Sequence, residues 1–130
     1  MSIFAEMKSV VGNSRRSDIA FYRNGRIDIT STLAKQLGLQ AGDVIDVGCV
    51  NKEYYLYVRV KSKDVIGRHK GQCFPSKHNS QNYRTYCKPL CDFFLQGSDE
   101  EKLNLATGEP EVTDNIGIAI PIITRNLLHK

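Results

Sequence analysis

Two runs of β-prone residues on either side of an Asn-Gly pair constrain the fold of this 130-residue chain more than any other feature. The runs cover residues 19–23 and 26–29, with Asn24-Gly25 between them. Because Asn and Gly tolerate the positive φ of a two-residue type I′ turn, the pattern predicts a β-hairpin. Apolar residues alternate with charged ones in the second run, so we expect one face of that strand to be buried.

A short helix and a second hairpin are predicted directly after the first hairpin. Hydroxyl side chains in residues 30–32 can cap the free N–H groups of a helix that ends at Leu37. Gly38 follows, where a left-handed residue would stop the helix, and Leu39 is placed to fold back as in a Schellman motif. Strands are then predicted over residues 44–47 and 54–60, joined by a turn.

The pattern weakens after residue 60. Residues 86–95 fit a short helix that starts near a Lys-Pro pair, and residues 116–123 fit a buried or edge strand. Residues 67–83 and 96–115 are polar and are predicted to be loops, the second one acidic. The fold class predicted from these segments is mainly β with short helices.

The run from Asn24 to Val47, within a module of about residues 18–60, resembles the AbrB/MazE/SpoVT group. Gly25-Arg26, Ile27-x-Ile29, Leu37-Gly38-Leu39 and Gly42-Asp43 match that group's motifs in order and spacing. The resemblance implies a swapped-hairpin β-barrel, in which two chains interleave their hairpins, and therefore a homodimer. We expect an AbrB-like module with an N-terminal arm over residues 1–60. Residues 61–130 are expected to be a small α+β extension that packs on the module and can bind a protein partner.

The resemblance also implies a DNA-binding surface. Arg26 matches the family's DNA-contacting arginine, and Lys35 stands at a basic position of the helix. The hairpin would protrude as a basic β-ribbon that contacts phosphates and base edges. The residues predicted to contact DNA are Arg15, Arg16, Arg23, Asn24, Arg26 and Lys35. The alternative is that Arg26 pairs with a carboxylate such as Asp28, Asp43 or Asp46 and only orders the turn.

These features predict a non-enzymatic, dimeric DNA-binding protein that regulates transcription and needs no cofactor. In a rival interpretation, the AbrB-like scaffold serves only protein–protein interaction, as in an antitoxin or a phage-type accessory factor. The charge distribution is compatible with both. Residues 61–91 carry seven basic and one acidic side chain, whereas residues 92–115 carry one basic and seven acidic side chains. Such blocks form two binding surfaces, neutralise each other, or are solvated loops.

Five potential metal ligands, His69, Cys73, His78, Cys87 and Cys91, fall within 23 residues. They are zinc ligand types, but their spacing is not that of a common zinc knuckle. We expect no metal, with Cys87 and Cys91 packed as small apolar side chains one helical turn apart. A second rival, a small metal protein or enzyme, depends on this cluster. No group that would activate a Cys/His nucleophile is visible in the sequence.

Aromatic and basic residues interleave in Tyr83-Arg84-Thr85-Tyr86, with Lys77, His78 and Lys88 nearby. This pattern could follow a nucleic-acid backbone. The alternative is a partly buried tyrosine pair beside surface lysines. No apolar run approaches the length of a membrane span, and the N-terminus lacks the long apolar stretch of a signal peptide. We therefore expect a cytoplasmic protein without a membrane partner.

Overall fold

A computed structural model describes residues 17–124, which form two antiparallel sheets and two short α-helices. Arg15 and Arg16 lie outside the described residues. The prediction of a mainly β protein with short helices is confirmed. The elements are β1 (Ile19–Tyr22), β2 (Arg26–Ile29), α1 (Ser31–Leu37), β3 (Val44–Val50), β4 (Glu53–Val60), a 3₁₀ turn (Ser62–Asp64), β5 (Phe74–Pro75), β6 (Tyr83–Tyr86), α2 (Lys88–Leu95), β7 (Lys102–Leu105), β8 (Glu111–Thr113) and β9 (Gly117–Ile122).

Each sheet combines strands from both sides of residue 60. Sheet A has the strand order β5-β6-β2-β1-β7, and sheet B has the order β3-β4-β9-β8. The two predicted hairpins are therefore flanked by strands of the chain's own second half. Both sheets are open and end in edge strands, so the closed barrel implied by the resemblance is not formed by this chain.

The first hairpin has a three-residue turn, and the prediction of a two-residue type I′ turn was wrong. Ile19 pairs with Ile29 and Phe21 pairs with Ile27, which leaves residues 23–25 as the loop. Residues that lie opposite each other in an antiparallel pair project from the same face. This register therefore places all four apolar side chains on the buried face, whereas a two-residue turn would have shifted Ile27 opposite Tyr22.

The second hairpin carries the type I′ turn instead. Asn51 and Lys52 have φ values of 52° and 68°, and Val50 pairs with Glu53 around them. Both central residues of a type I′ turn require positive φ. This tight turn lets strand β3 continue to Val50, three residues beyond the predicted end at Val47.

Helix α1 begins and ends as the sequence predicts, apart from one residue at its start. The Thr30 hydroxyl accepts a hydrogen bond from the Leu33 amide at 3.4 Å. Gly38 adopts a left-handed conformation with φ of 68°. The amides of Gly38 and Leu39 then donate to the carbonyls of Lys35 and Ala34 at 3.1 and 2.9 Å. These two bonds define a Schellman motif.

Asp43 fixes the connection between α1 and strand β3. Its side chain is fully buried, and each carboxylate oxygen accepts a backbone N–H at 2.8 Å, one from Gln40 and one from Ser62. The Lys61 ammonium lies 3.7 Å away. A buried carboxylate is tolerated when its oxygens are satisfied in this way. Asp43 is therefore a structural residue and not the partner of Arg26.

The core lies between the sheets and is closed by helix α2. The Phe94 ring of this helix stacks on Phe21 of β1 with centroids 4.4 Å apart. The apolar residues of the predicted AbrB-like module pack into this core within one chain. The fully buried members of that set are Ile27, Ile29, Leu33, Leu37 and Val44. These side chains therefore do not need a partner chain to cover them, and the homodimer implied by the resemblance stays a prediction.

The second half of the chain contains more strands than its sequence predicts. The segment 96–115 is not a loop, because it contains β7, paired with β1, and β8, paired with β9. Each is only three or four residues long and, unlike β2, does not adjoin an Asn-Gly pair that would mark it as half of a hairpin. The predicted helix over 86–95 starts instead at Lys88, because Tyr86 belongs to β6, and the strand predicted over 116–123 spans Gly117–Ile122. Within residues 17–124, neither helix has the length and apolar character needed to cross a membrane.

Candidate nucleic-acid interface

The side of sheet A that faces away from the core forms one continuous surface, here called the outer face. Strand register places two rows of side chains on it. Their positions alternate with those of core residues, because neighbouring residues of a strand point to opposite sides. One row is Lys102, Tyr22, Arg26 and Tyr86, and the other is Asn104, Ala20, Asp28, Arg84 and Phe74.

Positive charge dominates the outer face. Arg26, Arg84 and Lys102 stand against a single carboxylate, Asp28. The Arg84 Nε donates to an Asp28 oxygen at 2.8 Å, and an Arg26 nitrogen lies 3.3 Å from the other oxygen. The hydrogen bond that Arg84 donates to Asp28 raises the pKa of Arg84, so that guanidinium keeps its charge. One acid thus orders two arginines and leaves the surface with a net positive charge.

The Tyr22 ring lies close to two cations of the outer face, Arg26 and Lys102 of the edge strand β7. The Arg26 guanidinium carbon lies 3.9 Å from the centre of the Tyr22 ring, and the Lys102 ammonium lies 5.3 Å from it. Cations within about 6 Å of a ring face are attracted by its quadrupole. An arginine has five N–H donors, and the ion pair with Asp28 uses only some of those of Arg26. The side chain is therefore held in place while donors remain for a ligand.

Two aromatic rings of the outer face are open to solvent. Tyr86 is 58% exposed and Phe74 is 50% exposed. Beside them lies an open cleft of about 550 Å³, lined by residues 67–69, Gln72, residues 74–76 and residues 84–86. This volume falls within the range of ligand-binding clefts. Arg68 and His69 add basic groups to its rim, so the cleft combines aromatic faces with cationic side chains.

A second hollow extends the same surface across strands β2, β1 and β7. It has a volume of about 310 Å³ and shares Ser76 and Arg84 with the first cleft. Lys77 and Lys102 line it from opposite edges of the sheet. The two hollows together form a basic, aromatic strip that runs across all five strands of sheet A.

Four of the six side chains predicted to contact DNA lie within the described residues, and of these four only Arg26 lies on the outer face. Arg23 donates from one nitrogen to the carbonyls of Ser98 and Glu100, each at 2.6 Å, and so ties the acidic segment to the hairpin. The Asn24 side-chain oxygen accepts a hydrogen bond from the Arg26 amide and stabilises the turn. Lys35 is exposed on α1, beyond the other end of β2. The structure therefore does not bring Arg23, Arg26 and Lys35 onto one surface.

The first hairpin does not protrude as predicted. Gly25 at its tip is buried, and its carbonyl accepts the Cys87 amide at 2.8 Å. A Cβ at Gly25 would lie 3.4 Å from the backbone of Lys88, so the tip packs against the start of α2. The Arg26–Asp28 pair also matches the alternative in which Arg26 orders its own strand. Arg26 contributes to the outer face from within the sheet.

The Cys/His cluster is dispersed in the fold. Within residues 17–124, no three His, Cys, Asp or Glu side chains are placed to hold a metal ion. Cys73 and Cys91 are buried, and their thiols donate to backbone carbonyls at 3.3 and 3.4 Å. Burial raises the pKa of Cys73 to about 12 and that of Cys91 to about 11. Because the thiolate is the reactive form, these groups are suited to packing and not to nucleophilic attack.

Sequence reasoning identified part of the outer face and missed the rest. The interleaved segment Tyr83–Tyr86 supplies Arg84 and Tyr86, and Lys77 was singled out with it. Phe74 and Lys102 were missed because β5 and β7 are short strands, and Arg68 was missed because it lies in a loop. The alternation in Lys102-Leu103-Asn104-Leu105 is the one local signal that could have identified β7.

Neither a scan against protein-family models nor searches of curated proteins and of solved structures found a match to this chain.

Proposed function

We propose that this protein binds DNA, without catalysing a reaction, through the outer face of sheet A. The observation that carries the proposal is the interleaving of exposed aromatic rings with cations on one sheet surface. Tyr86 and Phe74 are solvent-exposed beside Arg84, while Arg26 and Lys102 flank Tyr22. Proteins that bind nucleic-acid strands combine basic grooves with aromatic side chains in this way.

Electrostatics supports a polyanionic ligand. The basic block of residues 61–91 supplies Arg68, Lys77 and Arg84 to the two hollows, and Lys102 from the acidic segment reaches the same surface. Each phosphate neutralised by such a side chain releases condensed counterions, which favours binding at low salt. Two acids line the second hollow. Asp28 is engaged by two arginines, and the buried Asp18 accepts two hydrogen bonds from Thr107, so both oppose this attraction only in part.

A finer proposal concerns family and assembly. An AbrB-like, homodimeric transcriptional regulator is supported by the resemblance over about residues 18–60 and by the hairpin–helix–hairpin order found there. A swapped-hairpin barrel would require two chains to exchange their hairpins in place of the intrachain pairing. Sedimentation of the purified protein tests the dimer: a folded monomer at micromolar concentration would contradict it.

The binding test compares two arginines of matched setting. Arg84 is 36% exposed and ion-paired with Asp28 on sheet A, and Arg59 is 46% exposed and ion-paired with Asp46 on sheet B. We expect Arg84→Gln to weaken DNA binding and to lower the salt slope by about one. Arg59→Gln should leave both quantities unchanged. Fluorescence anisotropy of a labelled DNA, titrated at several salt concentrations, measures both.

Two results would overturn the proposal. The first is no DNA retention by the wild-type protein at about 50 mM salt, a condition in which phosphate contacts are strong. The second is equal weakening by Arg84→Gln and Arg59→Gln, which would reflect net charge and not a site. Either result would give the lead to the rival function, an AbrB-like scaffold for protein–protein interaction.

A further inference from the structure

We infer that the ligand of the outer face is an unpaired DNA strand and not a duplex; this inference rests on the proposed DNA binding by that face, not on the AbrB-like family proposal, and names the substrate class. It starts from Tyr86 and Phe74, which are 58% and 50% exposed on a surface surrounded by cations. Within residues 17–124, neither ring stacks on another aromatic side chain. A ring held open to solvent on a sheet surface is a platform for a flat ligand.

Base faces are available for stacking only when the bases are unpaired. In a duplex each base is covered above and below by its neighbours, so an exposed ring reaches a base face only at a helix end or after a base is extruded. An unpaired strand presents a π-face at every nucleotide, and aromatic side chains stack on these faces without regard to sequence. The chemistry of the outer face therefore matches an unpaired strand.

The geometry of the first hairpin and of the two helices also disfavours groove readout. A major groove admits an α-helix or a protruding two-stranded ribbon. The tip of the ribbon formed by β1 and β2 packs against the start of α2, so it does not protrude. Helix α1 carries one basic residue, Lys35, and the only basic residue of α2, Lys88, is paired with Asp92 at 2.7 Å. Neither helix presents a basic face of the kind that enters a groove.

The path of the strand follows from the positions of the rings and cations. Phe74 lies across from Arg84 in the β5–β6 pair, and Tyr86 lies two residues further along β6. Bases would stack on Phe74 and Tyr86 beside the 550 Å³ cleft. Arg84, Arg26 and Lys102 would contact the phosphates as the backbone crosses toward β7. Contacts of this type recognise the backbone and the base faces and give little sequence preference.

The test compares a labelled 16-nucleotide strand with the duplex of the same sequence, because site sizes of about 4–16 nucleotides are usual for stacking surfaces. Wild-type protein should bind the single strand at least tenfold more tightly at about 100 mM salt. Tyr86→Leu and Phe74→Leu should each weaken single-strand binding by about fivefold or more, and Tyr86→Phe should retain it. Circular dichroism and melting temperature verify that the variants remain folded.

Phe93 provides the matched control. It is 45% exposed, on helix α2, and its ring contacts Tyr54 of sheet B and not the outer face. Phe93→Leu should bind both DNA forms as the wild type does. Equal or tighter binding of the duplex would overturn the inference and leave the proposed function standing, and so would full single-strand affinity in Tyr86→Leu and Phe74→Leu. Failure to bind either DNA form would overturn both.

Discussion

The Arg26 guanidinium lies 3.9 Å from the centre of the Tyr22 ring, and this contact depends on the length of the first hairpin's turn. Phe21 pairs with Ile27, so the next positions toward the turn, Tyr22 and Arg26, share the opposite face. A two-residue turn would have placed Tyr22 opposite Ile27. The three-residue turn therefore buries the apolar pair and assembles the cation and the ring on the outer face.

Replacing Arg26 tests what this contact contributes to stability and to DNA binding. Arg26→Ala removes a cation–π contact worth about 0.5–1 kcal/mol and a partly exposed ion pair worth about 0–1 kcal/mol. We expect the free energy of unfolding to fall by about 1 kcal/mol, measured by urea denaturation. DNA affinity should fall as well, with a salt slope lower by about one. Unchanged binding by Arg26→Ala at every salt concentration would remove Arg26 from the interface.

Gly38 provides a test of the helix stop. Its φ is 68°, and a Cβ at this position would meet no atom within 4 Å, so a substitution is opposed only by backbone conformation. A β-branched residue is strongly disfavoured in the left-handed region. Gly38→Val should therefore destabilise the protein by more than about 1 kcal/mol, and Gly38→Asn by less.

Gly48 is the control for this comparison. Its φ is not positive, and a Cβ there would lie 3.6 Å from the Tyr57 ring, an ordinary contact. Gly48→Ala should leave the urea midpoint unchanged or raise it, since alanine has less backbone entropy to lose on folding. A Gly38→Val protein as stable as the wild type would show that the Schellman motif is not a source of stability.

The first half of the fold was predictable because its signals are local. Residues 30–39 contain a capping hydroxyl and a glycine at the helix end, and both act within a few residues of the element they define. The prediction for the first turn failed because Asn24-Gly25 fits two turn types. The choice between them is made by the pairing of Phe21 with Ile27, which belongs to the core and not to the turn.

The outer face could be predicted only in part, since it is assembled by pairing between distant segments. Arg84 and Tyr86 stood out because basic and aromatic residues adjoin in the sequence. Lys102 reaches the same surface only because β7 pairs with β1, about 80 residues away along the chain. Phe74 reaches it through a two-residue strand. No local pattern specifies such contacts, so the site could not be completed without the sheet order.

We expect the cysteines to react with a thiol reagent at different rates, because they differ in burial. Cys49 is exposed, whereas burial raises the pKa of Cys73 to about 12 and that of Cys91 to about 11. At pH 8 a thiol reagent should modify Cys49 rapidly, and Cys73 and Cys91 only when the protein opens or unfolds. Mass spectrometry of the alkylated protein measures the order. Fast modification of Cys73 in folded protein would contradict its burial.

The same pKa shift predicts a loss of stability at alkaline pH. The pKa of Cys73 is higher in the folded protein than in the unfolded chain. The stability that depends on a protonated Cys73 thiol is therefore fully present below about pH 9 and is lost as the pH rises toward 12. Between pH 8 and pH 10.5 the urea midpoint of the wild type should therefore fall further than that of Cys73→Ala. Parallel curves for the two proteins would show that Cys73 does not titrate on unfolding.

Asp28 offers a gain-of-function test of the outer face. It is the acid that pairs with the arginines of that surface, and it lies 2.8 Å from Arg84 and 3.3 Å from Arg26. Asp28→Asn removes a charge that repels phosphate and releases both arginines from their ion pairs. A unit charge about 7 Å from a phosphate in water contributes about 0.6 kcal/mol, which corresponds to about threefold in affinity.

We therefore expect Asp28→Asn to bind DNA about threefold more tightly at low salt, with the advantage shrinking as salt screens the charges. The matched control is Asp46→Asn, which removes the same charge from an ion pair with Arg59 on sheet B. Both aspartates are partly exposed, so each substitution should lower stability by no more than about 1 kcal/mol. Because the two variants have equal net charge, any difference in affinity reports the position of the charge. Tighter binding by Asp28→Asn alone places DNA against the outer face, whereas equal affinities for the two variants would contradict it.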